Sequence, residues 1–456
     1  MSAASGVVAV VGGGIAGLSA AYELSRRDVP FVLLEAGGRW GGVIRSERAE
    51  GFLLEAGPDT LLAQKTAALA LVRELGLESR LVPVNTEQRT LYVLHRGRLH
   101  ALPDGMVLGV PTRVAPLVRT RLFSWPGKLR MAGDLLIPRG RPGADESIAA
   151  FFRRRLGHEA LERLGGPFLA GIHAGDPERL SLPANFPALT ALEARHGSLI
   201  RGLLASRPRS AGPPPPMFYS LRDGLGELVD GLVARLPADR LRLRCPVRDV
   251  RRNGDGFVLR TDGGEERARA VVLAVPAGRA SELLAGMDAH VSAALAGVRF
   301  ASTAAVYLGY RREDVAHPLD GHGLIVPEPE NLYTSVCSFF STKFPGRAPD
   351  GHVLLRGFLG GMRHPESLDG PDEDLVACVH DEMAPVLGLR AQPVLARVYR
   401  WPSATPQMEV GHRARVAALE SRLGAHPGLA LTGSGLRGTG IPDCVADARA
   451  VASQVA

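Results

Sequence analysis

The chain has 456 residues, 45% hydrophobic and 22% charged, with a net charge of +7 and a pI near 9.6. This balance excludes a disordered or fibrous chain and suits a globular protein of about two or three domains. The positive charge is almost all arginine, since lysine occurs only at Lys65, Lys128 and Lys343. Arginine grips carboxylates and phosphates in a fixed two-pronged geometry, so an anionic ligand or an anionic membrane surface fits. A solvated, arginine-biased surface accounts for most of these residues. With no dense basic run and no recognition motif, nucleic acid is not an expected partner.

Cys245, Cys337, Cys378 and Cys444 are far apart and form no CxxC pair. No zinc site or redox dithiol is expected, nor does any set of histidines show metal-ligand spacing, and a reducing compartment fits. The N-terminus runs directly into a strand-like segment, and no uncharged apolar stretch reaches the length of a membrane span. A cytoplasmic location is therefore expected.

Val7 to Val11 is a short β-branched run of the kind buried on both faces. Gly12 to Gly17 follows, then a helical stretch over Ile15 to Arg26, then a strand over Phe31 to Leu34 that ends at Glu35. From Ala101 to Pro138, apolar residues and Trp125 mix with Arg113, Arg119, Arg121, Lys128 and Arg130, and prolines break the stretch into short pieces. Such a segment either lies on a membrane surface or packs as helices on the protein itself. Helices are predicted over Glu146 to Leu156, Glu159 to Leu164, Pro183 to Leu204 and Leu225 to Leu236. Ala211 to Pro216 reads as a stiff linker that returns from an insertion. Strands at Arg248 to Arg252 and Phe257 to Thr261 are joined by a turn at Asn253-Gly254 and followed by one at Asp262-Gly263. Val271 to Val275 and Leu429 to Thr432 are further strands, and a last helix starts near Val445.

Gly12-Gly13-Gly14-Ile15-Ala16-Gly17 fits G-x-G-x-x-G. The first glycine permits a tight turn, the second lets backbone approach a pyrophosphate, and the third lets helix and strand pack closely. The helix N-terminus adds free N–H groups and partial positive charge. Glu35, about twenty residues on, is placed to accept hydrogen bonds from ribose hydroxyls. Alone, a glycine loop is a weak signal; between a strand and a helix and with Glu35 it specifies a dinucleotide. Arg39, Gly41, Gly42 and Val43 continue the site with a cation and bare backbone. Near the C-terminus, Gly433, Ser434, Gly440, Ile441 and Pro442 form a second glycine-rich strand-to-helix junction that offers amides to an anion or a flavin edge.

The run Glu35-x-x-x-Arg39-x-Gly41-Gly42 resembles the flavin amine oxidase superfamily. Further motifs narrow the resemblance. They include Ile44-Arg45-Ser46, Gly57-Pro58, Arg73-Glu74-Leu75-Gly76-Leu77, Gly171-Ile172-His173-Ala174-Gly175-Asp176-Pro177, Phe186-Pro187, Trp401-Pro402, Pro406-Gln407 and Gly438-x-Gly440-Ile441-Pro442-Asp443-Cys444. In this order and spacing they resemble the oxygen-dependent porphyrinogen oxidase family, which acts on protoporphyrinogen IX or coproporphyrinogen III.

The resemblance implies an α/β fold with three parts. A Rossmann-type, amine-oxidase-like FAD domain takes residues 1–85, 217–285 and 405–456. A mixed-sheet substrate domain takes 86–100 and 286–404, and a helical, membrane-associating insertion takes 101–216. It implies non-covalent FAD, a porphyrinogen substrate, dioxygen as acceptor and hydrogen peroxide as by-product in haem synthesis, and peripheral contact with the inner face of the cell membrane. A homodimer stays open. No catalytic side chain beyond the flavin is implied, because the cofactor carries the redox chemistry.

By the same resemblance Gly171 and Ile325 face the macrocycle, Gly12, Gly14, Ile15, Ala16, Gly17, Glu35 and Ala36 hold the ADP moiety, and the Val247 backbone meets the adenine. Asp59 stands where mitochondrial members carry a propionate-pairing arginine, so a carboxylate there would repel the propionate. Lys65 is the candidate replacement cation. His322, His173, Met408 and Leu436 replace aromatic residues. Two other readings stand beside the porphyrinogen oxidase: an amine oxidase or desaturase, and a non-catalytic flavin- or porphyrin-binding protein. The scarcity of aromatics and lysines speaks against an amine oxidase, and the lost aromatics motivate the binding protein.

Overall fold

The computed structural model describes residues 6–141, 143–206 and 216–456. Two sheets organise them. A five-stranded parallel sheet runs in the order Leu241–Arg242, Phe31–Leu34, Val8–Val11, Ala270–Leu273, Leu429–Leu431. Val8–Val11 is buried on both faces because helices lie on one side and a three-stranded ribbon, Val247–Asn253, Gly256–Thr261 and Gly264–Ala268, lies on the other. Alternation divides the strand. Val8 and Val10 join the core with Leu18, Leu24 and Val445, whereas Ala9 and Val11 pack with Val250, Phe257 and Leu283. The helices Ile15–Arg26 and Ile441–Val455 lie side by side on the first face.

The second sheet has seven strands in the order Leu395–Gln407, Arg299–Arg311, His352–Gly360, Val336–Phe339, Gly321–Ile325, Thr90–His95, Arg98–Ala101. It is antiparallel except for the pairing of Gly321–Ile325 with Thr90–His95. The helix Asp372–Leu387 covers one face through Leu375, Val379, Met383 and Leu387. The opposite face, which carries Val93, Ile325, Val336, Arg356 and Tyr307, looks toward the helical region and the Gly57 turn.

The helical region packs Phe151, Phe152, Leu164 and Leu199 around a buried polar hub. Arg155 is fully buried; its Nε donates to the Asp134 carboxylate at 2.7 Å, and its other nitrogens donate to the carbonyls of Ile137, Pro138, Asp134 and Gly197. A guanidinium so enclosed is stable only because each edge meets an acceptor.

Several predicted boundaries change. The stretch from Pro183 to Leu204 is three short helices, Leu182–Asn185, Pro187–His196 and Leu199–Ala205. Pro187 drives Phe186 out of helical geometry, and Gly197 at φ +72° terminates the second helix. The helix predicted from Glu159 is a short turn, His158–Ala160, that widens into a π-helix over Leu161–Ala170. Pro167 lies inside it and removes one N–H from any regular ladder. The last helix starts at Ile441 rather than Val445, because Pro442 occupies the first turn, where its missing N–H costs nothing. The hairpin turn falls on Gly254-Asp255, one residue later than expected, with Gly254 at φ +57°. The predicted linker lies in residues 211–215, outside the described residues, apart from Pro216.

The Arg155 hub is testable. Arg155→Ala strands the Asp134 carboxylate in the interior and is expected to cost about 3–5 kcal/mol, read as a lowered urea midpoint.

Candidate flavin and substrate site

The glycine loop leaves the Val8–Val11 strand through Gly12, at φ +108°, where an added Cβ would lie 2.5 Å from the Ala274 carbonyl oxygen. At Gly17 a Cβ would overlap the Gly12 carbonyl, so the helix sits directly on the loop. Gly14 is different: beyond its chain neighbours, no atom of the described residues lies within 4 Å of a Cβ built there. It N-caps the helix Ile15–Arg26 without a side chain, and the first N–H groups of that helix have no acceptor within it. An open glycine beside unpaired amides fits a pyrophosphate.

The other predicted dinucleotide residues converge here. The Glu35 carboxylate accepts from the amides of Gly13 and Gly37, both at 2.6 Å, which fixes it at the end of its strand beside half-exposed Gly14 and exposed Ala36. Gly41 bonds back to Gly13 at 2.8 Å, and a Cβ on Gly42 would come within 3.2 Å of the Gly14 Cα. Arg39 is not free to reach an anion with its whole fork. It donates to the carbonyls of Trp40 and Ile44 at 3.2 Å and to that of Gly42, and so braces the turn. Burial and the nearby Arg45 push its pKa down, against the pull of Glu35. Val43 is exposed, while Ile15 and Ala16 are buried beneath the loop. The chain from Arg244 to Val247 lies beside Glu35, since Arg244 donates to Gly37 and Cys245 to Glu35. The Val247 side chain is buried, and its carbonyl accepts from Arg279 at 2.8 Å.

The C-terminal junction stands next to this cradle. Gly433, at φ +121°, has open space on its Cβ side, and the Ser434 hydroxyl donates to Thr439 at 3.3 Å. Gly440 N-caps the helix Ile441–Val455, its amide reaching Asp443 at 3.2 Å, and Ile441 and Pro442 are buried in the first turn. Asp443 also pairs with Lys65 at 2.7 Å. Lys65, the candidate replacement cation, is thus paired within the protein, with its side chain half-exposed. Its ammonium closes a link between the segment before Thr66 and the last helix. His173 is edge-on to Phe186 at 5.6 Å, and burial, with a smaller push from the Lys65 charge, lowers its pKa to about 4. The ring is accordingly neutral at physiological pH.

Asp59 and His322, expected from the sequence to face the substrate, lie around the Gly57 turn. A Cβ at Gly57 would overlap the Val43 carbonyl, so the Gly57-Pro58 turn packs on the end of the cofactor segment. Trp401 Nε1 donates to Ala56 at 2.6 Å and Arg356 Nη2 donates to Gly57 at 2.6 Å. Asp59, expected to repel an anionic group, is itself neutralised: Lys343 lies 2.8 Å away and Arg356 3.8 Å. Burial alone would raise the Asp59 carboxyl, but Lys343 and then Arg356 outweigh it and hold it below the usual carboxylate range. His322 is joined to this group through Asn85. The His322 Nε2 meets the Asn85 carbonyl at 2.7 Å, and Asn85 bonds to the carbonyls of Thr342 and Lys343.

Gly171 has φ −59° and ψ −36°, so neither turn geometry nor strain calls for glycine. Among the described residues outside its own helix, the atom nearest an added Cβ is Val336 Cγ2, at 4.0 Å. Gly171 thus opens a slot over Val336 and its cross-strand neighbour Ile325, which is buried. Lys343, Arg356, Val336 and Phe358 escaped the sequence reading. Two signals were present: lysine is rare in this chain, and Arg356 interrupts the otherwise apolar run from Val353 to Leu359. Among the described residues no cluster of His, Cys, Asp or Glu could hold a metal.

A glycine-rich cradle built from both ends of the chain, opening beside the seven-stranded sheet, fits a flavin-dependent oxidoreductase. The sequence profile described as flavin containing amine oxidoreductase matches residues 15–456. The chain belongs to that family, and the cofactor its cradle fits is FAD. It is 35% identical over 98% of its length to a coproporphyrinogen III oxidase of Bacillus subtilis (strain 168), of which it covers 97%. It is 31% identical over 98% of its length to a chloroplastic protoporphyrinogen oxidase of Spinacia oleracea, of which it covers 83%. A crystal structure from Exiguobacterium sp. 255-15, assigned as a protoporphyrinogen oxidase, superposes with a TM-score of 0.88 at 33% identity, covering 98% of each chain.

The glycines separate folding from binding. Gly14→Ala meets no clash among the described residues and should change stability by no more than about 1 kcal/mol, yet the protein should elute from gel filtration without flavin absorbance. Gly17→Ala should lower both the thermal midpoint and the flavin content.

Proposed function

We propose that this protein oxidises a porphyrinogen, coproporphyrinogen III or protoporphyrinogen IX, to the porphyrin in haem biosynthesis, with dioxygen as acceptor and hydrogen peroxide as by-product. The observation that carries this reading is the slot between Gly171 and the Ile325–Val336 row, apolar in its middle and flanked by Lys343 and Arg356 beside the Gly57 turn. A largely apolar macrocycle with anionic side chains matches it. The relatives acting on porphyrinogens support the same assignment.

Hydride acceptance and reoxidation by dioxygen are what the flavin supplies when bound. The chain's own residues position and neutralise. Lys343 and Arg356 offset carboxylate charge, Gly171 leaves room for the ring, and neutral His173 adds no charge near the cradle. The same reading assigns Gly12 to Gly17, Glu35, Arg39 to Val43, Val247 and the Gly433–Pro442 junction to FAD. It also divides the chain into the FAD, substrate and inserted helical parts outlined from the sequence.

The inserted part carries an exposed apolar set on short helices. Val114 and Val118 share one face of Val114–Arg119, and Trp125 and Leu129 share one face of Trp125–Ala132. Arg113, Arg119 and Arg121 are exposed beside them, whereas Lys128 is turned inward onto the carbonyls of Val118 and Thr120. This arrangement supports peripheral docking on an anionic membrane. No described helix is long and apolar enough to cross one.

Anaerobic mixing tests the function: either porphyrinogen should bleach the flavin absorbance, and air should then restore it with porphyrin fluorescence. Bleaching by neither removes the assignment. Gly171→Ala should keep its flavin and thermal midpoint while raising the porphyrinogen KM. For the membrane, Trp125→Ser with Leu129→Ser should abolish co-sedimentation with anionic vesicles.

A further inference from the structure

The sheet face beneath the slot is laid out in rows. Arg356 stands opposite Ser338, and Ser338 opposite Gly323. Two residues along, Phe358 stands opposite Val336, Val336 opposite Ile325, and Ile325 opposite Val93. Side chains two apart share a face, so the cationic row and the apolar row belong to one surface. The Arg356 guanidinium lies 4.5 Å from the Phe358 ring centre and makes that surface continuous. Two residues further on, the strand ends at Gly360, which lines a cleft with Gly171, Val326, Ser335, Arg363 and His364. From Arg356 to Gly360 the strand advances about 13 Å. An apolar platform roofed by Gly171 thus has cations at both ends.

Neither end is balanced from within. At the first, Lys343 and Arg356 share the single carboxylate of Asp59, and Arg356, 4% exposed, leaves its Nε without a partner. At the second, Arg363 pairs with Glu328 at 2.9 Å, but the Glu328 side chain is 74% exposed, and the buried Arg363 Nε has no partner. Glu328 is a carboxylate that a ligand can displace toward solvent.

We infer that the platform receives a macrocycle bearing carboxylates on opposite edges, a tetracarboxylate porphyrinogen, in preference to one whose two carboxylates sit side by side. Lys343 and Arg356 take one edge and Arg363 takes the other. This rests on the porphyrinogen reading and adds the far-edge receptor, which makes Arg363 the residue that discriminates between the two substrates.

The test measures the half-saturating concentration for anaerobic flavin reduction with coproporphyrinogen III, which has four carboxylates, and protoporphyrinogen IX, which has two adjacent ones. Arg363→Gln should raise that concentration about tenfold for the former, as expected for loss of one charge-assisted pair, and leave the latter within twofold. Arg363→Lys should recover most of the loss. Lys343→Gln should weaken both substrates. Glu328→Gln, an exposed change that does not burden folding, should tighten the tetracarboxylate alone by about two- to fivefold. Equal shifts for both substrates, or none, in Arg363→Gln and Glu328→Gln overturn the inference while the oxidase assignment stands. If neither porphyrinogen reduces the wild-type flavin, both fall together.

Discussion

Arg356 is the side chain on which the two halves of the site depend. It rises from the middle of an otherwise apolar strand of the seven-stranded sheet, donates to the Gly57 carbonyl and faces Asp59. Gly57 in turn rests on the Val43 carbonyl, at the end of the segment that returns to the glycine loop. One guanidinium therefore ties the sheet face to the cofactor turn. Its rigidity suits that task, because a planar fork holds two acceptors at a fixed angle where an ammonium would not.

The surroundings carry more buried positive charge than they neutralise. Arg347 is 2% exposed, and of its nitrogens only Nη2 is bonded, to Ser220 and the Leu221 carbonyl. Glu55, nearby, is pushed up to about 7 by burial, so near neutral pH it is only partly available as a counter-charge. Asp59 is the dependable anion of the group. Leaving cations short of partners in a buried site is unfavourable unless an anion arrives. The anionic substrate proposed above would supply that anion. It also changes the meaning of Asp59, whose carboxylate holds Lys343 and Arg356 in place.

Much of this molecule was legible in consecutive residues. The strand, loop and helix from Val8 to Arg26 and the carboxylate at Glu35 could be read directly, because their contacts form within one short βαβ segment where backbone geometry dictates which positions must be glycine. Helix boundaries in the insertion were less legible. There Pro187, Gly197 and Pro167 act through local backbone sterics that a periodic apolar pattern does not reveal.

The charged site was the least legible. Lys65 looked like a free cation and Asp59 like a misplaced anion, since neither partner is near in sequence. Asp443 is 378 residues from Lys65, and Lys343 is 284 residues from Asp59. Sequence alone determined the dinucleotide fold, the family and the scarcity of lysine. Tertiary structure alone decided which charges meet, because Coulomb energy depends on separation in space and on burial, and neither is written in the order of residues.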